Sequence, residues 1–405
     1  MSVLQRGTDR PSAGFSVGRY LSNIDWILLV ATLSLVAFGM AMIYSATHAD
    51  RNISSPTQYV NDQALGLAAG LFALVVVSLV DFSWFVGLKR YLYWGNVALL
   101  GLTLVVGAER MGARRWIATP LFDVQTSELS KLLVVLALAA LLAEGVELRG
   151  RLRFLLKSVA YVALPAFLVF VQPDLGTALV FVAVLGVMLL VWGIRWTHAA
   201  LLGGGALLAT TLVVRVLPQT FGLELLKPYQ IQRLTVFLNP SQDTSGAAYQ
   251  LSQSKIAVAS GMFSGKGYMD GTQTNLNFLP AHHTDFIFSV IGEEFGFLGS
   301  AILLLLFLVV LWRAFRIASA SKTLHGTLIA SGVIAILLFQ VFVNVGMTLG
   351  IMPITGIPLP FVSFGSSSLV VFLTAIGLLQ SVHVHSRTAL YGGRLRGDQH
   401  GPMAA

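Results

Sequence analysis

The chain has no cysteine in 405 residues. A disulfide framework, a thiolate metal centre and a cysteine nucleophile are therefore excluded. Charge is also scarce. Only 11% of the residues are Asp, Glu, Lys or Arg, against about a quarter in soluble domains. In their place stand apolar residues, 56% of the chain, gathered in recurrent runs long enough to cross a bilayer as helices. The roughly ten-residue alternating segments of a membrane barrel are missing. The fold class that follows is an all-α polytopic membrane protein. A cleavable leader is not expected, because a polar segment precedes Ile24 and the first apolar run reads as an uncleaved anchor.

Ten spans are predicted, over 24–46, 63–80, 91–108, 127–145, 154–171, 175–194, 198–218, 286–312, 325–351 and 362–383. They divide the chain into an N-terminal segment 1–23, a single membrane domain 24–386 and a tail 387–405 expected to be disordered. The net charge is +8, but its carriers flank the apolar runs, which points to topology and anionic lipid rather than nucleic acid. Arg6, Arg10 and Arg19 precede the first span. Lys89 and Arg90, Arg149, Arg151 and Arg153, Arg195, and Arg313, Arg316 and Lys322 fill the even-numbered connections. By the positive-inside rule both termini are cytoplasmic, and the long Gly-, Ser-, Gln- and Asn-rich connection 219–284 lies outside. Within it, Tyr249–Ser260 is amphipathic and reads either as an interfacial helix or as a helix packed on the loop.

The unusual residues gather in the connections assigned to the outer side. Glu128 and Lys131 are three apart on a predicted helix and can pair, as a structural bridge or as part of a polar pocket. Asp174, in Pro173-Asp174-Leu175-Gly176-Thr177, suits a helix N-cap and does not thereby lose a site role. Arg114 and Arg115 precede Trp116, a set that suits either phosphate and sugar recognition or an interfacial anchor. Ser363, Ser366, Ser367 and Ser368 follow a Pro-Leu-Pro backbone that is tolerated at membrane depth where it lines a cavity, and they can cap the last helix. Gly261–Gly267, GMFSGKG, does not match a phosphate-binding loop in spacing. His282 and His283 read as solvated. Asp285 stands at the start of the eighth span, as a cap or as a site carboxylate. Glu293, about 80° further round a continuous helix, would share its cavity, while Glu294 needs other partners.

A site on the outer leaflet needs a lipid-carried donor, since activated nucleotide sugars are made inside. A lipid diphosphate asks for cations, which Arg114, Arg115 and Lys131 can supply. An acceptor hydroxyl asks for a base, which Asp285 can supply.

In combination, ARRWI, QTSELSKL, QPDLGTA, LPAHHTDFIFSVIGEEFG and NVGMTLGIMPITGIPLPFVSFGSSS resemble the SEDS family (shape, elongation, division, sporulation), its RodA branch more than its FtsW branch. The resemblance covers about residues 20–385. It implies ten spans and a peptidoglycan glycosyltransferase that polymerises lipid II with a divalent cation, Mg²⁺ or Mn²⁺. It also implies a class B penicillin-binding protein and other elongation-complex membrane proteins as partners. The family's essential aspartate falls on Asp285, as base or as metal ligand. The substrate-binding positions fall on Arg115, Trp116, Glu128, Lys131 and Asp174, with Ser363 and Ser366 beside them. Thr126 stands where the family usually has proline, a change expected to loosen the start of the fourth helix. Phe364 and Ser366 stand where Tyr and Gly are common. A lipid II flippase is the competing class, and it asks for polar groups facing inward from both leaflets. A scaffold that merely recruits the transpeptidase is the third, and it asks little of Asp285.

Overall fold

The computed structural model describes residues 22–48, 56–110, 113–119, 122–216, 220, 228–238 and 246–397. A helix lies over each of the ten apolar stretches: α1 Trp26–Thr47, α2 Pro56–Leu79, α3 Trp84–Val106, α4 Thr126–Glu144, α5 Leu152–Val171, α6 Leu175–Trp192 and α7 Trp196–Thr211, followed after the long connection by α11 Ile287–Ala320, α12 Leu324–Leu349 and α13 Ser366–Gly397. The connection itself carries α8 Pro228–Leu238, α9 Ala247–Ser260 and the short α10 Thr272–Asn275. Among the described residues, eight helices are long and apolar enough to span by themselves. The two that fall short are α3, which holds Lys89, Arg90 and Asn96, and α7, which has 16 residues before a π turn at Leu212–Val216.

Two local features depart from the expectation. Between α3 and α4 the chain forms a small antiparallel sheet, β1 Ala108–Arg110, β2 Ala113–Ile117 and β3 Val124–Gln125, with Trp116 paired to Ala108 on one side and Gln125 on the other. At the other end of the sequence, α13 continues helical to Gly397, where an unstructured tail is expected from residue 387; residues 398–405 lie outside the described residues.

The two ends of the bundle are chemically different. At one end the start of α1 meets the ends of α11 and α13. Asp25 caps α1 by accepting from the Leu28 amide at 3.1 Å, takes the Arg313 guanidinium at 2.6 Å, and exchanges two backbone hydrogen bonds with the Gln380 amide at 3.0 and 2.9 Å. Asp25 and Arg313 thus neutralise each other where α1, α11 and α13 meet. The starts of α4, α6, α11 and α13 all lie at the opposite end, where α9 packs with Ala248, Leu251, Ser254 and Ala257 facing inward. Its Ser254 hydroxyl lies 2.7 Å from Ser289 of α11 and donates to the Thr348 carbonyl of α12 at 2.8 Å. The amphipathic Tyr249–Ser260 stretch is therefore a helix seated on the bundle.

Helix α11 is not continuous. Gly296 has φ 63° and ψ −156°, which breaks it into an upper piece, Ile287–Phe295, and a lower shaft. The glycine-rich run covers the break. The amides of Lys266 and Gly267 donate to the carbonyls of Glu293 and Glu294, each at 3.0 Å. The carbonyls of Met262 and Phe263 accept from the amides of Phe297 and Leu298 at 2.9 and 3.1 Å. Groups that a broken helix leaves unpaired are satisfied by one loop. Such close backbone approach requires glycine: a Cβ at Gly265 would lie 2.1 Å from the Glu294 carbonyl oxygen, and one at Gly261 would lie 1.9 Å from that of Gly292.

Candidate active site

A cavity of about 1220 Å³ opens at the end of the bundle opposite the Asp25–Arg313 pair. Its wall is drawn from the start of α2, the β-sheet, the starts of α4 and α6, the helices α8 and α9, and the segment between α12 and α13. Each of the five motif stretches identified in the sequence therefore reaches one place.

Asp285 lies in the turn just ahead of α11, half-buried on the cavity wall. Three contacts hold its backbone and that of its neighbours. The Asn344 side-chain amide donates to the Asp285 carbonyl and to the Ile357 carbonyl, both at 2.8 Å. The Ser363 hydroxyl donates to the Thr284 carbonyl at 2.6 Å and accepts from the Leu359 amide at 2.8 Å. The Phe364 amide donates to the His283 carbonyl at 3.0 Å. Burial pushes the Asp285 carboxyl up to about 6; Arg233 and Arg115 pull against that, and the nearby Asp174 charge adds to it.

Asp174 is both cap and wall. Its carboxylate accepts from the Thr177 amide at 3.2 Å, the Thr177 hydroxyl at 3.0 Å, the Ser127 hydroxyl at 3.0 Å and the Gln125 amide at 3.3 Å. The start of α6 is thereby tied to the start of α4. Helix α4 begins at Thr126 itself, with its neighbours Gln125 and Ser127 braced on Asp174. Arg115 and Trp116 line the cavity from β2. Arg115 is already engaged, its Nε donating to the Gln172 carbonyl at 2.8 Å and its Nη2 to that of Pro173. Arg114 points elsewhere, exposed and paired with Glu109 at 3.4 Å.

Glu128 reaches the wall, whereas Lys131 does not. The Lys131 ammonium is fully buried beneath the cavity, donating to Glu128 at 2.7 Å and lying 5.2 Å from the Phe372 ring. Three successive serines fix the start of α13. Ser366 donates to the Asp62 carbonyl at 2.7 Å, Ser367 accepts from the Gln125 amide at 3.0 Å, and Ser368 donates to Glu128 at 2.9 Å. Ser363 is turned from the cavity and supports the Asp285 turn instead.

Glu293 does not share the cavity with Asp285. Its buried carboxylate faces the long connection, accepting from Lys266 Nζ at 2.6 Å, the Thr272 hydroxyl at 3.0 Å and the Gln273 amide at 3.0 Å. The 80° expectation assumes a helix running from Asp285, and Asp285 precedes the helix. Glu294 is anchored by the Ser45 hydroxyl at 2.6 Å. His282 is buried rather than solvated, its ring nitrogens 2.6 Å and 2.8 Å from the carbonyls of Leu279 and Ala46. His283 does line the cavity, edge-on to Tyr59 at 5.0 Å.

Sequence reasoning missed Arg233, Asn344 and Gln63. Arg233 lies on α8 within the polar connection and lines the cavity near Asp285. Gln63 on α2 donates to the Ser363 carbonyl at 3.3 Å and accepts from the Gly365 amide at 2.9 Å. An isolated amide inside an apolar run was the available signal for Asn344.

A family model described as "Cell cycle protein", for FtsW, RodA and SpoVE, matches residues 25–388. The stage V sporulation protein E of Bacillus subtilis is 37% identical over 90% of this chain and 98% of its own length. The peptidoglycan glycosyltransferase MrdB of Escherichia coli K12 is 36% identical over 90% and 95%. A chain from a structure on the coordination of polymerization and crosslinking by a peptidoglycan synthase complex is 33% identical, with a TM-score of 0.74, covering 90% of this chain and 98% of that one. The rod shape determining protein RodA of Thermus thermophilus is 30% identical, with a TM-score of 0.63, over 89% and 96%. This chain belongs to the FtsW, RodA and SpoVE family, the SEDS proteins that its motifs resemble.

Proposed function

We propose that this chain is a peptidoglycan glycosyltransferase that polymerises lipid II into glycan strands on the outer face of the bacterial cytoplasmic membrane, in the branch that serves cell elongation. One observation carries the reading: a carboxyl held at about 6 on the wall of a large cavity, with two arginines on the same wall. A base tuned toward neutral pH beside cations is what transfer from a lipid diphosphate to a sugar hydroxyl requires. The curated relatives named as peptidoglycan glycosyltransferases support the same chemistry.

Asp285 takes the proton of the acceptor GlcNAc 4-hydroxyl. The oxygen so freed attacks the anomeric carbon of the donor MurNAc, the bond from that carbon to the diphosphate oxygen breaks, and undecaprenyl diphosphate leaves with inversion. Trp116 and the cavity amides hold the sugars, and Asp174 keeps the sheet, α4 and α6 in register around them. Lys131 contributes by holding Glu128 and, through it, Ser368.

Among the described residues no three His, Asp or Glu side chains converge to cage a metal. Asp174 is saturated with donors, whereas Asp285 faces the cavity. A single cavity-facing carboxylate is compatible with Mg²⁺ that keeps much of its water or takes substrate oxygens, so Asp285 is the residue that would hold a Mg²⁺ or Mn²⁺. When bound, such an ion supplies countercharge to the leaving diphosphate.

The basic end of the bundle, with both termini, faces the cytoplasm. A class B penicillin-binding protein cross-links the strands, alongside other membrane proteins of the elongation complex. The test uses purified full-length protein, lipid II and Mg²⁺ or Mn²⁺ in detergent, with glycan strands read on a gel. Wild type makes strands, while Asp285→Asn and chelator-treated protein do not. Movement of lipid II across vesicles without polymer would overturn the reading.

A further inference from the structure

Resting on that reading, we infer that Arg233, on the outer helix α8, is the residue that receives the diphosphate of the donor lipid. The two cations expected from sequence both have structural duties. Lys131 is sealed under Glu128, away from the cavity. Arg115 is on the wall, but its Nε and Nη2 already hold the Gln172 and Pro173 carbonyls and thereby the turn that carries Asp174.

Arg233 stands on the wall directly beside the carboxylate. Gly356, at φ 74°, marks the spot: a Cβ built there would lie 3.4 Å from Asp285 Oδ2 and 3.5 Å from Arg233 Nη1. The carboxylate oxygen and the guanidinium therefore border one small space that the missing side chain leaves open. A displacement needs its base and its leaving-group cation around one reacting carbon, and this space has both. The wall charge argues the same way. Among the described residues, the cavity lining holds Asp62, Asp123, Glu128, Asp174 and Asp285 against only Arg115 and Arg233. A polyanionic diphosphate entering that field depends heavily on each arginine, and the planar fork of Arg233 suits two phosphate oxygens. The neighbouring Gln230, Gln232 and Gln250 are neutral, so Arg233 is the charge that α8 and α9 bring to the wall.

The experiment measures binding of a short polyprenyl diphosphate and of the matching monophosphate to full-length protein in detergent, beside a polymerisation assay. Arg233→Gln should lose about tenfold or more in diphosphate affinity, the size of a lost charge-assisted contact, with a smaller loss for the monophosphate. Arg233→Lys should fall between, because it keeps the charge without the fork. Lys255→Gln, which removes an exposed charge from α9 outside the cavity, should bind as wild type does. Thermal melting of each variant separates binding loss from unfolding, and if Arg233→Gln melts early, Arg233→Lys decides. Diphosphate binding unchanged in both Arg233 variants, or equally weakened in Lys255→Gln, overturns the inference. If wild type binds diphosphate through Arg233 yet makes no glycan, it is the glycosyltransferase reading that fails.

Discussion

The side-chain amide of Asn344, buried in α12, donates to the main-chain carbonyls of Asp285 and Ile357 at 2.8 Å each. One residue thus fixes the turn that bears the carboxylate and the loop that faces it. Asn344→Ala leaves two carbonyls without their donor, at a cost of about 1–3 kcal/mol. The expected outcome is a lowered melting temperature, together with a fall in turnover larger than the change in lipid II binding. Steady-state kinetics beside a thermal melt will show whether the two effects separate in this way.

The Asp285 carboxyl sits at about 6, raised from the ordinary range chiefly by burial. A base works only when deprotonated, so polymerisation should be flat above that value. Below it the rate should fall about tenfold for each pH unit. Removing Arg233 takes away a charge that favours the carboxylate, so in Arg233→Gln the acid limb should move to higher pH. An acid limb that stays in place in that variant would show that the guanidinium exerts no field on Asp285.

Glu128 and Lys131 form a buried pair, with side-chain exposures of 3% and 0%. Truncating one partner strands the other, which costs about 3–5 kcal/mol in buried pairs, while replacing both with apolar residues is often close to neutral. Lys131→Met should therefore melt well below wild type, and Glu128→Leu with Lys131→Met should recover much of the loss. Ser368 loses its acceptor in the double variant, so activity should recover less than stability does. Melting curves of the two single variants and the double variant close this cycle.

Gly296 carries the break in α11 at φ 63°, and a Cβ there would lie 2.4 Å from the Gly265 amide nitrogen. Gly296→Ala combines left-handed strain, about 1–3 kcal/mol, with a clash against backbone that cannot step aside. The variant should accumulate poorly and melt early, whereas Gly101→Ala, at an open position on α3, should behave as wild type. Expression level and a melt in detergent suffice to compare them.

How much of this was legible in the sequence depended on distance along the chain. The helices could be read because a bilayer demands long apolar runs wherever they occur. The i,i+3 pairing of Glu128 with Lys131 could be read because it is local, but not that Glu128 would reach the cavity wall while Lys131 lies beneath it. The break at Gly296 was hidden, since glycine is common in membrane helices and the loop that satisfies the break begins 35 residues earlier, at Gly261. Arg233 was hidden in a long polar connection, where only the fold reveals which side chain lies near Asp285. Motif resemblance located Asp285, Arg115 and Asp174. It did not indicate that Arg115 is partly occupied with holding Asp174's own turn.

Between the cavity and the Asp25–Arg313 end, four of the packed helices run without a charged residue or a histidine. No acid, lysine, arginine or histidine occurs in α4 between Lys131 and Glu144, anywhere in α6, in α12 beyond His325, or in α13 from Ser366 to Gln380. Leu138, Leu142, Val184, Met188, Ile329 and Val333 fill this layer with no exposed surface. On the proposed reading, a proton taken up by Asp285 meets no titratable group along these stretches of the four helices, and the mouth of the cavity is its route out.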